Sequence, residues 1–157
     1  MRDCRGFTLI ELIVTLAIVA LLASMALPLA ELGVRRHKEQ ELRLALRQIR
    51  TAIDEYKKAG DDGRIPRAAD ATGYPPTLDL LAEGVINQKD PGKRRLYFLR
   101  RVPADPFFDD AQAKPSETWQ LRSYESPPDS PAPGKDVYDV RSRSAGTAID
   151  GTAYAAW

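Results

Sequence analysis

Cysteine and histidine are almost absent from this chain of 157 residues. Cys4 is the single cysteine, so no disulfide can form within the chain, and a metal site built from several thiolates is excluded. His37 is the single histidine, and it lies in a run of basic residues that is typical of a solvated helix face. A catalytic triad would have to use this one imidazole, and its surroundings do not favour that role.

An excess of charge of one sign is also missing. The chain has 23 Lys and Arg against 22 Asp and Glu, so a net charge of +1 creates no strong field for polyanions. Basic and aromatic residues do alternate between Lys93 and Val102, a pattern seen in nucleic-acid-binding proteins. Acidic residues follow at once, beginning with Asp105. The sequence therefore predicts no nucleic-acid partner.

One long apolar run dominates the first part of the chain. Residues 12–30 carry no charge, and extending the run back to Phe7 adds only Glu11. That length matches the roughly 20 residues that cross the hydrocarbon core of a bilayer as a helix. Arg2 and Arg5 precede the run, so the positive-inside rule places that end in the cytoplasm and the rest of the chain across the membrane.

Glu11 separates the possible interpretations of this run. A cleaved secretory signal has a shorter apolar core and a small-residue cleavage site, for which residues 23–26 (ASMA) are the candidate. A plain membrane anchor leaves Glu11 unexplained, because a lone carboxylate in an apolar helix is costly unless it is neutralised or paired. The carboxylate therefore predicts a functional role within the apolar segment.

The residues around Glu11 supply a third interpretation. Residues 5–11 (RGFTLIE) resemble the processing motif of type IV pilins and type II secretion pseudopilins. The resemblance implies cleavage between Gly6 and Phe7 by a prepilin peptidase, which also methylates the new amine of Phe7. It further implies that Glu11 pairs with the amino terminus of a neighbouring subunit and sets filament register; such a pair would offset the cost of burying both charges. Pro28 lies where the family often has a helix-perturbing proline.

The apolar run continues into a charged segment that keeps helical periodicity. Apolar residues recur at spacings of three and four and predict one buried stripe: Leu42, Ala45, Leu46, Ile49, Ala52, Ile53 and Tyr56. Glycines at positions 60 and 63 predict the end of the helix. We therefore divide the chain into a leader (1–6), a transmembrane and filament-core helix (7–30), its amphipathic continuation (31–59) and a globular domain (60–157).

The globular domain is predicted to mix one short helix with an antiparallel hairpin. Thr77 caps a short helix containing Leu78 and Leu81. Residues 118–124 and 136–140 have the composition of strands, and four prolines occupy the loop between them. The tail to Trp157 is rich in small residues and predicts irregular loop tied back by Tyr154 and Trp157. The fold class is α+β, and the resemblance implies the pilin arrangement of a long helix packed on a small sheet with long loops.

Further blocks of the chain resemble the major-pseudopilin branch of the family. They are residues 74–81 (YPPTLDLL), 99–107 (LRRVPADPF), 119–124 (WQLRSY) and 136–140 (DVYDV). Members of this branch commonly bind calcium in the carboxyl-terminal loop through aspartates and carbonyls, which implies Asp139 and Asp150 as ligands here. Residues 144–147 (SAGT) stand where that loop usually carries an acidic residue, so the sequence departs from the family pattern there.

The resemblance implies a structural protein rather than an enzyme. It implies a single-pass inner-membrane subunit with a cytoplasmic amino terminus and a periplasmic domain, polymerised into a short periplasmic filament for protein secretion. The implied partners are further copies, other pseudopilins, the prepilin peptidase and methyltransferase, an inner-membrane platform protein and an assembly ATPase.

Two alternatives remain. One is a type IV pilin of a surface fibre for adhesion, motility or DNA uptake. The other is a membrane-anchored periplasmic enzyme, for which the sequence offers no nucleophile with a base, no phosphate-binding glycine loop and no metal constellation.

Overall fold

The computed structural model describes residues 7–68, 71–110 and 112–157, apart from the side chains of residues 25–27. The chain divides into two compact units, Met1–His37 and Lys38–Trp157. The part of the amphipathic segment that starts at Lys38 belongs to the second unit. That part carries the apolar stripe, and the stripe is buried among the globular residues of the same unit.

Helix α1 spans Leu9–Asp61, 53 residues, and confirms the long helix predicted from the sequence. Its residues are mostly Leu, Ala, Glu, Arg and Ile, most of which are good helix formers. The helix begins two residues later than predicted, because Phe7 and Thr8 precede its first turn. Pro28 lies inside it, and the helical assignment continues on both sides. A proline there removes one backbone donor, so local weakening at Pro28 stays a prediction.

The end of α1 follows the predicted glycine signal. Gly63 has a φ of +66°, a conformation that costs glycine little. The turn is closed by the Arg64 N–H, which donates to the Ala59 carbonyl at 2.8 Å, and by the Gly63 N–H, which donates to the Gly60 carbonyl at 2.9 Å. These bonds satisfy carbonyls that the last helical turn leaves without an intrahelical partner.

The core of the second unit is built on the predicted stripe of α1. All seven stripe residues are buried, and Leu42 and Ile49 have no exposed surface. Trp119 is also fully buried, and its indole N–H donates to the Pro103 carbonyl at 2.8 Å, which satisfies its one polar atom. The buried residues that pack with the stripe are Ala59, Ile65, Leu78, Leu81, Val102, Trp119, Val137, Val140, Ala148 and Tyr154.

Strands β3 (Trp119–Arg122) and β4 (Asp139–Ser142) form the predicted antiparallel hairpin. Trp119 lies opposite Ser142, and Arg122 lies opposite Asp139. The predicted bounds were wrong for both strands: the first is shorter than residues 118–124, and the second starts at Asp139 and ends at Ser142 rather than covering residues 136–140. The Val137 N–H donates to the Pro75 carbonyl instead.

The short helix and a second sheet precede the hairpin. Helix α2 spans Asp79–Glu83, and Leu78 and Leu81 are buried as predicted. The N-cap of α2 is Leu78, so the prediction that Thr77 caps this helix was wrong by one residue, although Thr77 Oγ1 accepts a long 3.4 Å bond from the Leu80 N–H. Strands β1 (Val85–Ile86) and β2 (Arg95–Leu96) pair antiparallel and were not predicted. Two residues per strand are too few to produce an alternating pattern.

The tail of the chain is mostly irregular, as predicted. It contains an isolated antiparallel bridge between Thr147 and Ala153 and a single 3-10 helical turn at Tyr154–Ala156. Tyr154 is buried and stacks on Phe107 with ring centroids 4.1 Å apart. This contact confirms that the tail is tied back onto the second unit.

Candidate processing and assembly site

The predicted processing site lies at the start of the described chain. Gly6 lies outside the described residues, as does Cys4. Phe7 is the first described residue, it precedes α1, and its side chain is 89% exposed. An exposed residue just before a helix is accessible to a modifying enzyme. Cleavage before Phe7 and methylation of its amine stay predictions.

Glu11 is held by Thr8 at the first turn of α1. Glu11 Oε2 accepts hydrogen bonds from the Thr8 backbone N–H at 2.8 Å and from Thr8 Oγ1 at 2.7 Å. In return, Thr8 Oγ1 lies 3.3 Å from the Glu11 N–H. This reciprocal arrangement is a capping box, which satisfies backbone donors that the first turn of a helix leaves unpaired. The carboxylate is thereby fixed one turn from Phe7.

Thr8 was not singled out from the sequence, although a signal for it exists. A threonine followed three residues later by glutamate, just before an apolar run, is the sequence signature of a capping box. Residues 8–11 (TLIE) match that signature. Thr8 therefore joins Phe7 and Glu11 as a candidate functional residue, because it determines where the carboxylate of Glu11 lies.

The apolar part of α1 exposes its large side chains. Within the described part of the chain, α1 is the one helix that is long and apolar enough to cross a membrane, and its most apolar stretch is not buried within the protein. The exposed side chains of this stretch are Leu9, Ile10, Leu12, Ile13, Val14, Leu16, Ile18, Val19, Leu21, Leu22 and Leu29. Such a surface needs lipid or other protein to cover it. This part of the helix is therefore a candidate membrane span.

The predicted calcium ligands lie in separate arginine contacts of the second unit. Asp139 Oδ1 lies 2.8 Å from Arg50 Nε, and Asp150 Oδ2 lies 3.4 Å from Arg43. Hydrogen bonds from Thr152 lower the pKa of Asp150, with a smaller contribution from the positive charge of Arg43. Among the described residues, no three Asp, Glu, His or Cys side chains group closely enough to hold a metal. The donors near Asp139 and Asp150 therefore do not fit a calcium site.

Glu39, Arg43 and Arg50 were not identified from the sequence. All three lie on the half of α1 that belongs to the second unit, and their partners are about 90 to 115 residues away along the chain. From the sequence, a charged residue on an amphipathic helix is predicted to be exposed to solvent, because the partner that the tertiary fold brings to it is distant in the chain. No local signal could have identified these contacts.

Comparisons with known proteins agree with the site. The model of the prokaryotic N-terminal methylation motif matches residues 1–27. The type II secretion system core protein G of Klebsiella michiganensis is 28% identical over 137 residues, which cover 84% of this chain and 88% of that protein. Core protein G of Vibrio cholerae is 28% identical over 115 residues, 71% of each chain.

A fimbrial protein is also similar, over a shorter stretch. The fimbrial protein EcpB of Eikenella corrodens is 32% identical over 95 residues, which cover 60% of this chain and 49% of that protein. No solved structure matches the chain. The methylation motif, the exposed apolar helix with Glu11 in its first turn and the similarity to core protein G along most of the chain agree with one another. The chain is similar to the type IV pilins and type II secretion pseudopilins, and along most of its length to the major pseudopilin, core protein G.

Proposed function

We propose that this protein is a structural subunit of a type II secretion pseudopilus. In this proposal it is cleaved after Gly6, methylated on Phe7 and held in the inner membrane by the apolar part of α1. It then assembles into a short periplasmic filament that helps to export folded proteins across the outer membrane. The observation that carries the proposal is an exposed apolar helix with one carboxylate, Glu11, held in its first turn.

The apolar surface of α1 suits two successive environments. In the membrane, lipid tails cover the exposed side chains from Leu9 onward. In a filament, the same side chains pack against the helices of neighbouring copies, and association in the absence of water depends on close packing and polar contacts. Exchange of lipid for helix contacts leaves the apolar surface covered throughout, which makes extraction from the membrane energetically feasible.

Glu11 supplies the polar contact in this proposal. Both donors from Thr8 reach Oε2, and no described residue donates to Oε1. Oε1 is thus available to the methylated amine of Phe7 on a neighbouring copy. An ion pair in apolar surroundings is strongly favoured over either charge alone. The pair fixes the axial position of one subunit relative to the next.

The remaining partners are those that the resemblance to pseudopilins implies. A prepilin peptidase and methyltransferase would process the chain, and a platform protein with a cytoplasmic ATPase would drive assembly. Other pseudopilins would join the same filament. A structural role also accounts for the site, because the hydrogen bonds from Thr8 hold the carboxylate of Glu11 in the first turn of α1.

A type IV pilin is the second candidate, and the match to EcpB favours it. That match covers half of the fimbrial protein, whereas core protein G is matched over most of its length. Many type IV pilins close their carboxyl-terminal loop with a disulfide, which the mature chain could not form, because cleavage after Gly6 would remove Cys4. We therefore favour the pseudopilin.

The intact mass of the protein from membranes, with and without the prepilin peptidase, tests the proposal. We expect loss of residues 1–6 and the gain of one methyl group only when the peptidase is present. An uncleaved chain, or cleavage within residues 23–26, would exclude the filament subunit. Deletion of the gene then separates the two candidates: a secretion defect supports the pseudopilin, whereas loss of surface fibres and motility supports the pilin.

A further inference from the structure

One face of α1 carries three charged side chains directed at the end of the chain. Glu39, Arg43 and Arg50 follow one another at spacings of four and seven residues, which places them on one side of a helix with 3.6 residues per turn. All three contact residues 139–157, and we call them the polar stripe. We call residues 144–157 the tail segment.

Glu39 holds the tail segment at two points. Its carboxylate is buried, and Oε1 accepts the Ile149 N–H at 2.9 Å and the Tyr154 hydroxyl at 3.0 Å. A buried carboxylate is costly unless donors replace its lost hydration. These donors come from residues more than 100 positions away, so Glu39 stabilises the docked position of the tail segment.

Arg43 closes a ring of contacts with the tail segment. Its guanidinium lies 3.4 Å from Asp150 Oδ2 and stacks 4.1 Å from the centre of the Trp157 ring. Asp150 Oδ1 accepts Thr152 Oγ1–H at 2.6 Å, and the Trp157 indole N–H donates to Thr152 Oγ1 at 2.7 Å. The four side chains thus contact one another in sequence. Arg43 neutralises the carboxylate and covers the indole at the same time.

Arg50 holds the strand that leads into the tail segment. Its Nε donates to Asp139 Oδ1 at 2.8 Å, and another guanidinium nitrogen donates to the Val140 carbonyl at 3.1 Å. Asp139 Oδ1 also accepts the Val140 N–H at 2.8 Å. The two carboxylates predicted to bind calcium therefore each place one oxygen within 3.4 Å of a guanidinium group of α1.

We infer that the polar stripe fastens the tail segment without a calcium ion, with Arg43 and Arg50 supplying the positive charge that a metal would supply. Calcium takes six to eight oxygen ligands, several of them carboxylates. Each carboxylate here already balances a guanidinium, and a divalent ion beside that group would be repelled. The inference concerns the second unit alone and does not depend on assembly into a filament.

Hydrogen exchange and thermal unfolding of the full chain in detergent test the inference. We expect EDTA and millimolar calcium chloride to leave the melting temperature and the exchange of the tail segment unchanged. Arg43→Gln should raise exchange at the Ala148 and Tyr154 amides by roughly tenfold, because it removes an exposed ion pair and a cation–π contact. Arg47→Gln is the matched control, because Arg47 bonds the Arg43 carbonyl within α1.

The opposite results would overturn the inference. A saturable rise in melting temperature with calcium, abolished by Asp150→Asn, would show that Asp150 is a metal ligand. Equal exchange in Arg43→Gln and Arg47→Gln would show that Arg43 does not hold the tail segment. If the inference is right, Asp150→Asn should give faster exchange of the Ala148 and Tyr154 amides both with and without calcium.

Discussion

Individual buried carboxylates connect parts of the second unit that are distant in the sequence. Asp136 accepts hydrogen bonds from Thr72, from Ser123 Oγ at 2.7 Å and from the Tyr124 N–H at 3.0 Å. Asp105 is also buried and accepts Ser142 Oγ–H at 2.6 Å. Each carboxylate thereby connects segments that are far apart in the sequence.

Asp136 makes stability depend on pH. Burial raises its pKa, but the hydrogen bonds from Thr72, Ser123 and Tyr124 together outweigh burial and hold the pKa below its ordinary value. A depressed pKa in the folded state contributes stability above pH about 4 that is lost as the pH falls through the folded pKa. We expect Asp136→Asn to destabilise the protein at pH 7 by about 1–3 kcal/mol, and to differ less from wild type near pH 3.

The measurement is the urea unfolding midpoint of the full chain in detergent between pH 7 and pH 3. Asp62→Asn is the control, because Asp62 is exposed and lies 3.7 Å from Arg64. It should change stability little at any pH. A difference between Asp136→Asn and wild type that stays constant over this range would contradict the prediction.

Substitution of Glu11 tests the proposed assembly contact. Glu11→Leu removes one partner of a buried ion pair, which costs about 3–5 kcal/mol at each subunit contact in the filament. We expect cleavage and membrane insertion to persist and filaments sheared from overexpressing cells to be lost. Thr15→Leu is the control, because Thr15 Oγ1 donates to the Leu12 carbonyl within the same helix. Filaments at the wild-type level in Glu11→Leu would refute the register role.

The first and the later part of helix α1 have different surfaces. Its first part exposes large apolar side chains on every side, for instance Ile18 at 53%. Its later part buries one stripe and exposes charged residues around it. The stripe, rather than helix propensity alone, holds the later part in place, because packing of an amphipathic face supplies most of the stability of helices in proteins.

Ile49 reports on this packing. Ile49→Ala leaves a cavity at a position with no exposed surface and should cost about 2–5 kcal/mol of unfolding free energy. Leu44→Ala, on the same helix at 51% exposure, should cost about 0.5 kcal/mol or less. Denaturant unfolding followed by the fluorescence of buried Trp119 measures both. Similar losses in the two variants would mean that the stripe does not form the core.

The two units of the molecule differ in the surroundings that their surfaces require. The apolar side chains of the first unit need lipid or neighbouring subunits, whereas the second unit has a buried core and a charged surface. Apolar side chains with the same exposed fraction are therefore expected to have different surroundings in the two units. In the proposed function, an exposed leucine in the second unit faces water, whereas an exposed leucine in the first unit is covered by lipid or by other protein.

A pair of lysine substitutions checks this difference. Ile18 and Leu44 are exposed to similar extents, 53% and 51%. Ile18→Lys places a charge near the centre of the apolar segment and should cost about 2.5–3.5 kcal/mol of insertion free energy, whereas Leu44→Lys should leave insertion unchanged. Carbonate extraction of membranes measures the integrated fraction. Equal integration of both variants would argue against a spanning segment.

Much of the candidate site could be read from the chain because its signals are local. The apolar run, the single carboxylate and the motif around Gly6 and Phe7 each lie within a few residues of sequence. The stripe from Leu42 to Tyr56 follows from helical period alone. Even Thr8, which was missed, has a sequence signature.

The strand predictions failed where contacts with residues distant in the sequence determine the backbone structure. Asp136 was placed in a strand by its neighbours, but bonds to Thr72 and Ser123 withdraw it from the sheet. The sheet of β1 and β2 depends on two residues per strand, too few for a periodic signal. Burial of a carboxylate cannot be predicted from its neighbours in sequence.

The sequence by itself determined the membrane segment, the position of Glu11 within it and the buried face of α1, because hydrophobic period and charge are properties of adjacent residues. Only the tertiary structure decided the partners of Asp139 and Asp150. A carboxylate near the end of a chain can bind a metal, cap a turn or pair with an arginine, and composition does not distinguish these roles. Folding brings the guanidinium groups of Arg43 and Arg50 to these carboxylates from about 100 residues away, and the sequence near Asp139 and Asp150 holds no signal of those contacts.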